Sequence, residues 1–109
     1  MKETLAITKA LADENRLRII MMLKDSEACV CQIIAVLGYA PSTVSKHLSI
    51  LKNAGLIDGY KQGRWVYYHL PSEPSEAASS ALKWVMNALV NSDVIRNDRA
   101  KSTVVRTRS

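Results

Sequence analysis

The chain has 109 residues, 48% of them apolar, which suits one domain with a modest core of its own. Lys and Arg outnumber the acids 15 to 10, and the resulting net charge of +5 favours a polyanionic partner. No apolar run approaches the ~20 residues of a membrane span, the start lacks a signal-peptide pattern, and two cysteines in a reducing compartment do not read as a structural disulfide. A cytoplasmic protein with no membrane partner is expected.

In chain order, "ETLAITKALA" (3–12) spaces Leu5, Ala6, Lys9 and Ala10 as an amphipathic helix does. Asp13 is a suitable N-cap for a second helix over 14–24, which is apolar nearly all round and therefore expected to be central. A third, short helix follows over 30–38 and ends at Gly38. Within 39–55 a fourth helix carries the apolar stripe Val44, Leu48 and Leu51, with Gly55 as its stop. "LIDGY" and "RWVYYHL" are rich in aromatic and β-branched residues and flank "KQG", the pattern of a β-hairpin. A last helix places Ala78, Leu82, Val85, Met86 and Leu89 on one stripe. The basic segment 96–109 has no evident face to bury and is expected to be flexible, leaving a folded domain over 1–95.

Two short helices in succession, the second opening with small polar residues, form the pattern of a helix-turn-helix, and the hairpin behind them makes it a winged one. The expected fold is therefore mainly α with a β-hairpin wing. The fourth helix presents Ser42, Thr43, Ser45, Lys46 and His47 on its outward side. Hydroxyls allow close approach to base edges in the major groove, and the cation and the helix N-terminus favour phosphate. Lys61 and Arg64 sit at the wing tip, suited to backbone or minor-groove contact. Double-stranded operator DNA is the partner this pattern points to. The apolar stripe Leu82, Val85, Met86 and Leu89, joined by Leu5 of the first helix, is expected to build a homodimer interface, because a monomer core this small leaves little to cover it.

"ALADENRLRIIMML", "CVCQIIAVLGYAPSTVSKHLSILKNAGLI" and "GRWVYYHL" together resemble the ArsR/SmtB family of metalloregulatory repressors over roughly residues 5–90. The resemblance implies a winged-helix homodimer built on the first and last helices. Such a dimer represses its own operon and leaves the operator when an inducer binds. Arsenic-sensing members carry Cys-Val-Cys-Asp-Leu-Cys ahead of the recognition helix. Here Cys29 and Cys31 match the first two thiols, Gln32 replaces the acid, and Ile34 stands in the place of the third thiol.

In a regular helix residues i and i+2 point about 200° apart and could not grip one ion. At a helix start they can, with Cys29 extended at the N-cap and Cys31 in the first turn, where the helix dipole should lower the thiol pKa. Soft trivalent ions fit such a pair: arsenic(III), or antimony or bismuth, with hydroxide or a small thiol in the third place. Zinc fits less well, since it takes four ligands and the last helix holds no histidine. Such an ion is an inducer, not a cofactor. Two further readings stay open: thiols that respond to oxidation, through a strained Cys-X-Cys ring, in a winged-helix repressor of the same fold, and thiols that are merely small hydrophobes. An enzyme would need Cys31 as nucleophile with His47 or His69 as base. Nothing in the sequence orients either pair, so no catalytic activity is expected.

Overall fold

Asp13 starts the helix on which the rest is built. It is extended (φ −154°, ψ 130°), and its carboxylate accepts from the backbone N–H of Asn15 at 2.8 Å and of Arg16 at 3.2 Å, which caps α2 (Glu14–Asp25). In this computed structural model, which describes residues 1–108, five consecutive α2 residues from Ile19 to Leu23 are buried. No single helix face can hold five consecutive residues, so α2 must be enclosed from several sides. It packs against α1 (Lys2–Leu11), α3 (Val30–Leu37), α4 (Pro41–Asn53), α5 (Glu76–Ala88) and α6 (Asp93–Arg108). Arg16 ties α1 to this hub: its Nε donates to the Ala10 carbonyl at 2.7 Å and a terminal nitrogen to the Lys9 carbonyl at 3.0 Å, which caps the last turn of α1.

The sheet has three antiparallel strands in the order β1 (Ala28–Cys29), β3 (Trp65–His69), β2 (Asp58–Gln62). The hairpin is present, but its turn lies one residue later than the sequence suggests. Gln62 pairs with Trp65, so Lys61 and Gln62 belong to β2 and the loop is Gly63–Arg64. Gly63 takes φ +63°, the conformation that a two-residue loop needs at its first position to follow the strand twist. The third strand escapes sequence analysis because two residues carry no period. It pairs Ala28 with Tyr68 and Cys29 with Tyr67.

Two sequence expectations are corrected. The stripe assigned to a dimer interface belongs largely to the chain's own core: Leu82 and Val85 are buried at 6% and 0% exposure, and the half-buried Met86 and Leu89 pack against that core. Of the residues expected at that interface, only Leu5 is well exposed, and the outer side of α5 instead offers Trp84 at 64%. The second correction concerns the segment 96–109. Its described part is the body of α6, so the expected boundary at residue 95 falls inside a helix; Ser109 lies outside the described residues. Periodicity missed α6 because polar contacts anchor it. Asp98, buried between α6 and α2, accepts two hydrogen bonds from Arg18 at 2.8 and 2.9 Å, and Arg99 meets Asp25 at 3.3 Å. Ile95 adds a buried apolar anchor, and Val105 packs partly buried against the core. Among the described residues, no helix is long and apolar enough to cross a membrane.

The Arg18–Asp98 pair supplies a test of the last helix. Removing one partner of a nearly buried ion pair leaves the other charge uncompensated, so Asp98→Ala should cost about 3 kcal/mol of folding stability in urea titrations. A loss below about 0.5 kcal/mol, the range of ordinary surface changes, would mean that α6 is not part of the cooperative fold.

Candidate nucleic-acid interface and thiol site

α3 and α4 are joined by the turn 38–40, in which Gly38 adopts φ +77° and returns its N–H to the Ile34 carbonyl at 2.9 Å. Pro41 then opens α4 at a position where a missing N–H costs nothing. Val44, Leu48 and Leu51 are buried, as their spacing predicts, and fix which side of α4 faces out. Ser42, Thr43, Ser45 and Lys46 are exposed on that side. The N-cap is Ala40, which offers no side-chain acceptor, so the first-turn N–H groups of Ser42 and Thr43 sit at the positive end of the helix without a cap. Together with three hydroxyls and one ammonium they make a surface suited to phosphate and base edges.

His47 does not belong to that surface. Its side chain is only 13% exposed, and its Nδ1 lies 3.1 Å from a guanidinium nitrogen of Arg16. A guanidinium only donates, so Nδ1 accepts here. The residue expected to read DNA instead fixes α4 against the Arg16 knot at the end of α1. The other histidine, His69, holds the Leu70 carbonyl with its own Nδ1 at 2.7 Å. On the wing, Lys61 and Arg64 are exposed, and the Arg64 guanidinium lies 5.5 Å from the ring centroid of exposed Trp65. Sequence reasoning missed Ser49, which is exposed three residues beyond Lys46 on α4, and Tyr39, exposed in the turn before it. The i+3 spacing from Lys46 was the available signal for Ser49.

The thiols occupy the start of α3. Cys29 is its N-cap, extended at φ −67° and ψ 147°, and its N–H donates to the Gln32 side-chain oxygen at 2.8 Å. Gln32 thus has a local structural use, closing the helix start in the manner of a capping box. Because Cys29 is outside the helix and Cys31 inside it, the sulfurs converge to 2.8 Å, with Cys31 donating its S–H to Cys29. Both thiols are free; Cys29 is buried and Cys31 exposed. Loss of solvent around the Cys31 sulfur, and the hydrogen bond it donates to Cys29, raise this thiol above its ordinary pKa. The expected lowering by the helix dipole is outweighed at Cys31 by these two effects.

The site is held from two sides. Glu27, two residues ahead of Cys29, accepts from the Tyr60 hydroxyl of β2 at 2.8 Å, and Tyr60 stacks on Tyr67 of β3 at 5.5 Å. Ser26 is gripped by Arg106 of α6 through its hydroxyl and carbonyl. The thiol turn therefore lies between the wing, α6 and the helix that leads to α4. Among the described residues, no group of three or more His, Cys, Asp or Glu is arranged to hold a metal ion.

Comparison with known proteins places this arrangement in a lineage. Residues 13–58, from the α2 cap to the start of β2, match the profile described as bacterial regulatory protein, arsR family. The arsenical resistance operon repressor of Escherichia coli is 43% identical over 72 residues, or 64% of this chain. The chain spans 62% of that repressor's length, about three fifths. An HTH-type transcriptional regulator of Methanocaldococcus jannaschii is 42% identical over 65 residues, covering 59% of this chain and 73% of that protein. Among solved structures, a homodimeric winged helix-turn-helix DNA-binding domain from Mycobacterium bovis superposes with a TM-score of 0.67 at 27% identity, over 84% of this chain and 80% of that one. Fold, motif order and sequence identity agree: the chain belongs to the arsR family of bacterial regulatory proteins.

Proposed function

We propose that the protein is a cytoplasmic transcriptional repressor. It binds an inverted-repeat operator as a homodimer and leaves it when As(III), or Sb(III) or Bi(III), is bound by Cys29 and Cys31. The observation that carries this reading is the 2.8 Å approach of the two sulfurs at the start of α3. Two sulfurs bonded to one soft ion at roughly 2.3 Å stand about 3.4–3.8 Å apart. The pair therefore needs to open by less than about 1 Å, which is within reach of one capping turn. The third place on arsenic goes to hydroxide or a small thiol, because Ile34 has no donor. Arsenous acid joins the pair without redox change. Two As–O bonds break and two As–S bonds form, and the thiol protons leave with the two hydroxyls as water.

Opening the pair strains contacts on both sides of it. Cys29 is paired with Tyr67 of the wing, and α3 passes through a three-residue turn into α4. Displacing either changes how the two recognition helices of a dimer reach successive major grooves, ~34–36 Å apart. A tenfold loss of operator affinity needs only ~1.4 kcal/mol of coupling. The dimer contact falls to the exposed apolar residues of α1 and α5, Leu5 and Trp84 foremost, because Leu82 and Val85 are already buried.

Release of operator DNA by arsenite tests the inducer. Under reducing conditions wild type should release and Cys29→Ser and Cys31→Ser should stay bound, since one thiolate cannot chelate. Equal behaviour of wild type and Cys29→Ser would defeat the thiol site. Release of wild type by the thiol oxidant diamide, but not by arsenite, would favour the oxidation response instead.

The DNA face has its own test. Lys46→Ala and Arg64→Ala should each weaken operator binding and reduce its salt slope by about one unit. Ser45→Ala should reduce the preference for operator over random DNA more than it reduces general affinity. Trp84→Glu should be monomeric by light scattering and bind a full operator poorly. Unchanged affinity in both basic variants at moderate salt would place the DNA elsewhere.

The raised Cys31 pKa gives a pH signature. With Cys31 protonated across neutral pH, arsenous acid takes the thiol protons away as water, so its affinity should be flat from about pH 6 to 8. An aquated divalent ion must expel the Cys31 proton to solvent, so its affinity should climb by up to about tenfold per pH unit over the same range. Calorimetry in buffers of different pH separates the two, and a steep rise for arsenite would contradict the exchange described here.

A further inference from the structure

Helices α2 and α6 do not close on each other completely. The two helices leave a cavity of about 250 Å³ between them. Its floor is apolar, with buried Met21, Met22 and Ile95. Its walls are charged, and most of those charges cancel: Arg18 is locked to Asp98 by two hydrogen bonds, and Arg99 faces Asp25 at 3.3 Å. Arg106 differs. It lines the cavity and grips only the neutral hydroxyl and carbonyl of Ser26. Its Nε is out of contact with solvent, and among the described residues it has no hydrogen-bond partner.

A guanidinium with a buried, unused N–H and no carboxylate among its hydrogen-bond partners is costly unless something brings an acceptor to it. The fitting acceptor is itself anionic, because it would satisfy the N–H and the charge together. The methionines fix the other end of the occupant. Thioether side chains are polarizable and adapt to irregular apolar shapes. Space of this size holds a molecule on the order of ten non-hydrogen atoms.

From this arrangement we propose that the α2–α6 cavity binds a small amphipathic carboxylate, with its carboxylate at the Arg106 guanidinium and its apolar body on Met21 and Met22.

The test uses the full chain labelled at its methionine methyl groups, with sodium octanoate as the probe, below its micelle-forming concentration. The chain has four methionines. Met1 and Met86 lie outside the cavity lining and serve as internal controls. Octanoate should shift the Met21 and Met22 signals saturably and leave those of Met1 and Met86 in place. Arg106→Gln should weaken this binding at least tenfold. Octylammonium, the same chain with the opposite charge, should not bind wild type, which keeps the test sound even if the variant folds poorly. Absence of saturable shifts, equal shifts at Met86, or equal binding of octanoate and octylammonium would overturn the proposal. None of these readouts involves operator DNA or arsenite, so failure here leaves the repressor reading untouched, and the reverse holds as well.

Discussion

The middle of helix α2 has no side to give to solvent, and the rest of the molecule is arranged around that constraint. Five consecutive buried residues, Ile19 to Leu23, require neighbours all round, and the other five helices supply them. Polar residues around α2 then fix those neighbours in angle and register. Asp13 sets where α2 begins. Arg16 holds the end of α1 with one part of its guanidinium and reaches His47 of α4 with another, and Arg18 holds α6 through Asp98. Helix α4 is therefore positioned by an arginine that belongs to the hub, and Ser42, Thr43, Ser45 and Lys46 stay exposed on its outward side.

The same economy governs the basic residues. A net charge of +5 suggests a uniformly cationic surface, yet Arg16, Arg18, Arg99 and Arg106 are engaged in holding helices together. The cations left facing outward near the helix-turn-helix and wing are few, notably Lys46, Lys61 and Arg64. A cationic face of this kind is specified by placement more than by total charge, since exposed charges more than a Debye length apart scarcely act together.

The thiol pair shows how a local backbone choice creates a chemical site. Two cysteines one residue apart would diverge on a helix and alternate across a strand. Placing the helix start between them lets both sulfurs meet, and the start is fixed by the Gln32 cap and by the pairing of Cys29 with Tyr67. Chemistry at that point bears on the wing strand and on the first turn of α3 at once. The cluster Glu27–Tyr60–Tyr67 ties the segment ahead of Cys29 to the wing.

Local rules in the sequence determined the first five helices, the hairpin, the Asp13 cap, the outward residues of α4 other than His47, and the proximity of Cys29 to a helix start. Each of these follows from periodicity, capping preference or glycine geometry within a few residues. Tertiary structure decided what depends on partners distant in the chain. The stripe of α5 could have faced a second copy or its own core, and only packing shows that Leu82 and Val85 are already covered. His47 looks like its exposed neighbours until Arg16, 31 residues away, claims it. Helix α6 was invisible for a related reason: hydrophobic periodicity registers apolar anchors, whereas α6 has few of these and is also tied to α2 by ion pairs, one of them spanning 80 residues of sequence. A carboxylate or guanidinium reads as a solvated surface group until the residue that neutralises it is brought alongside.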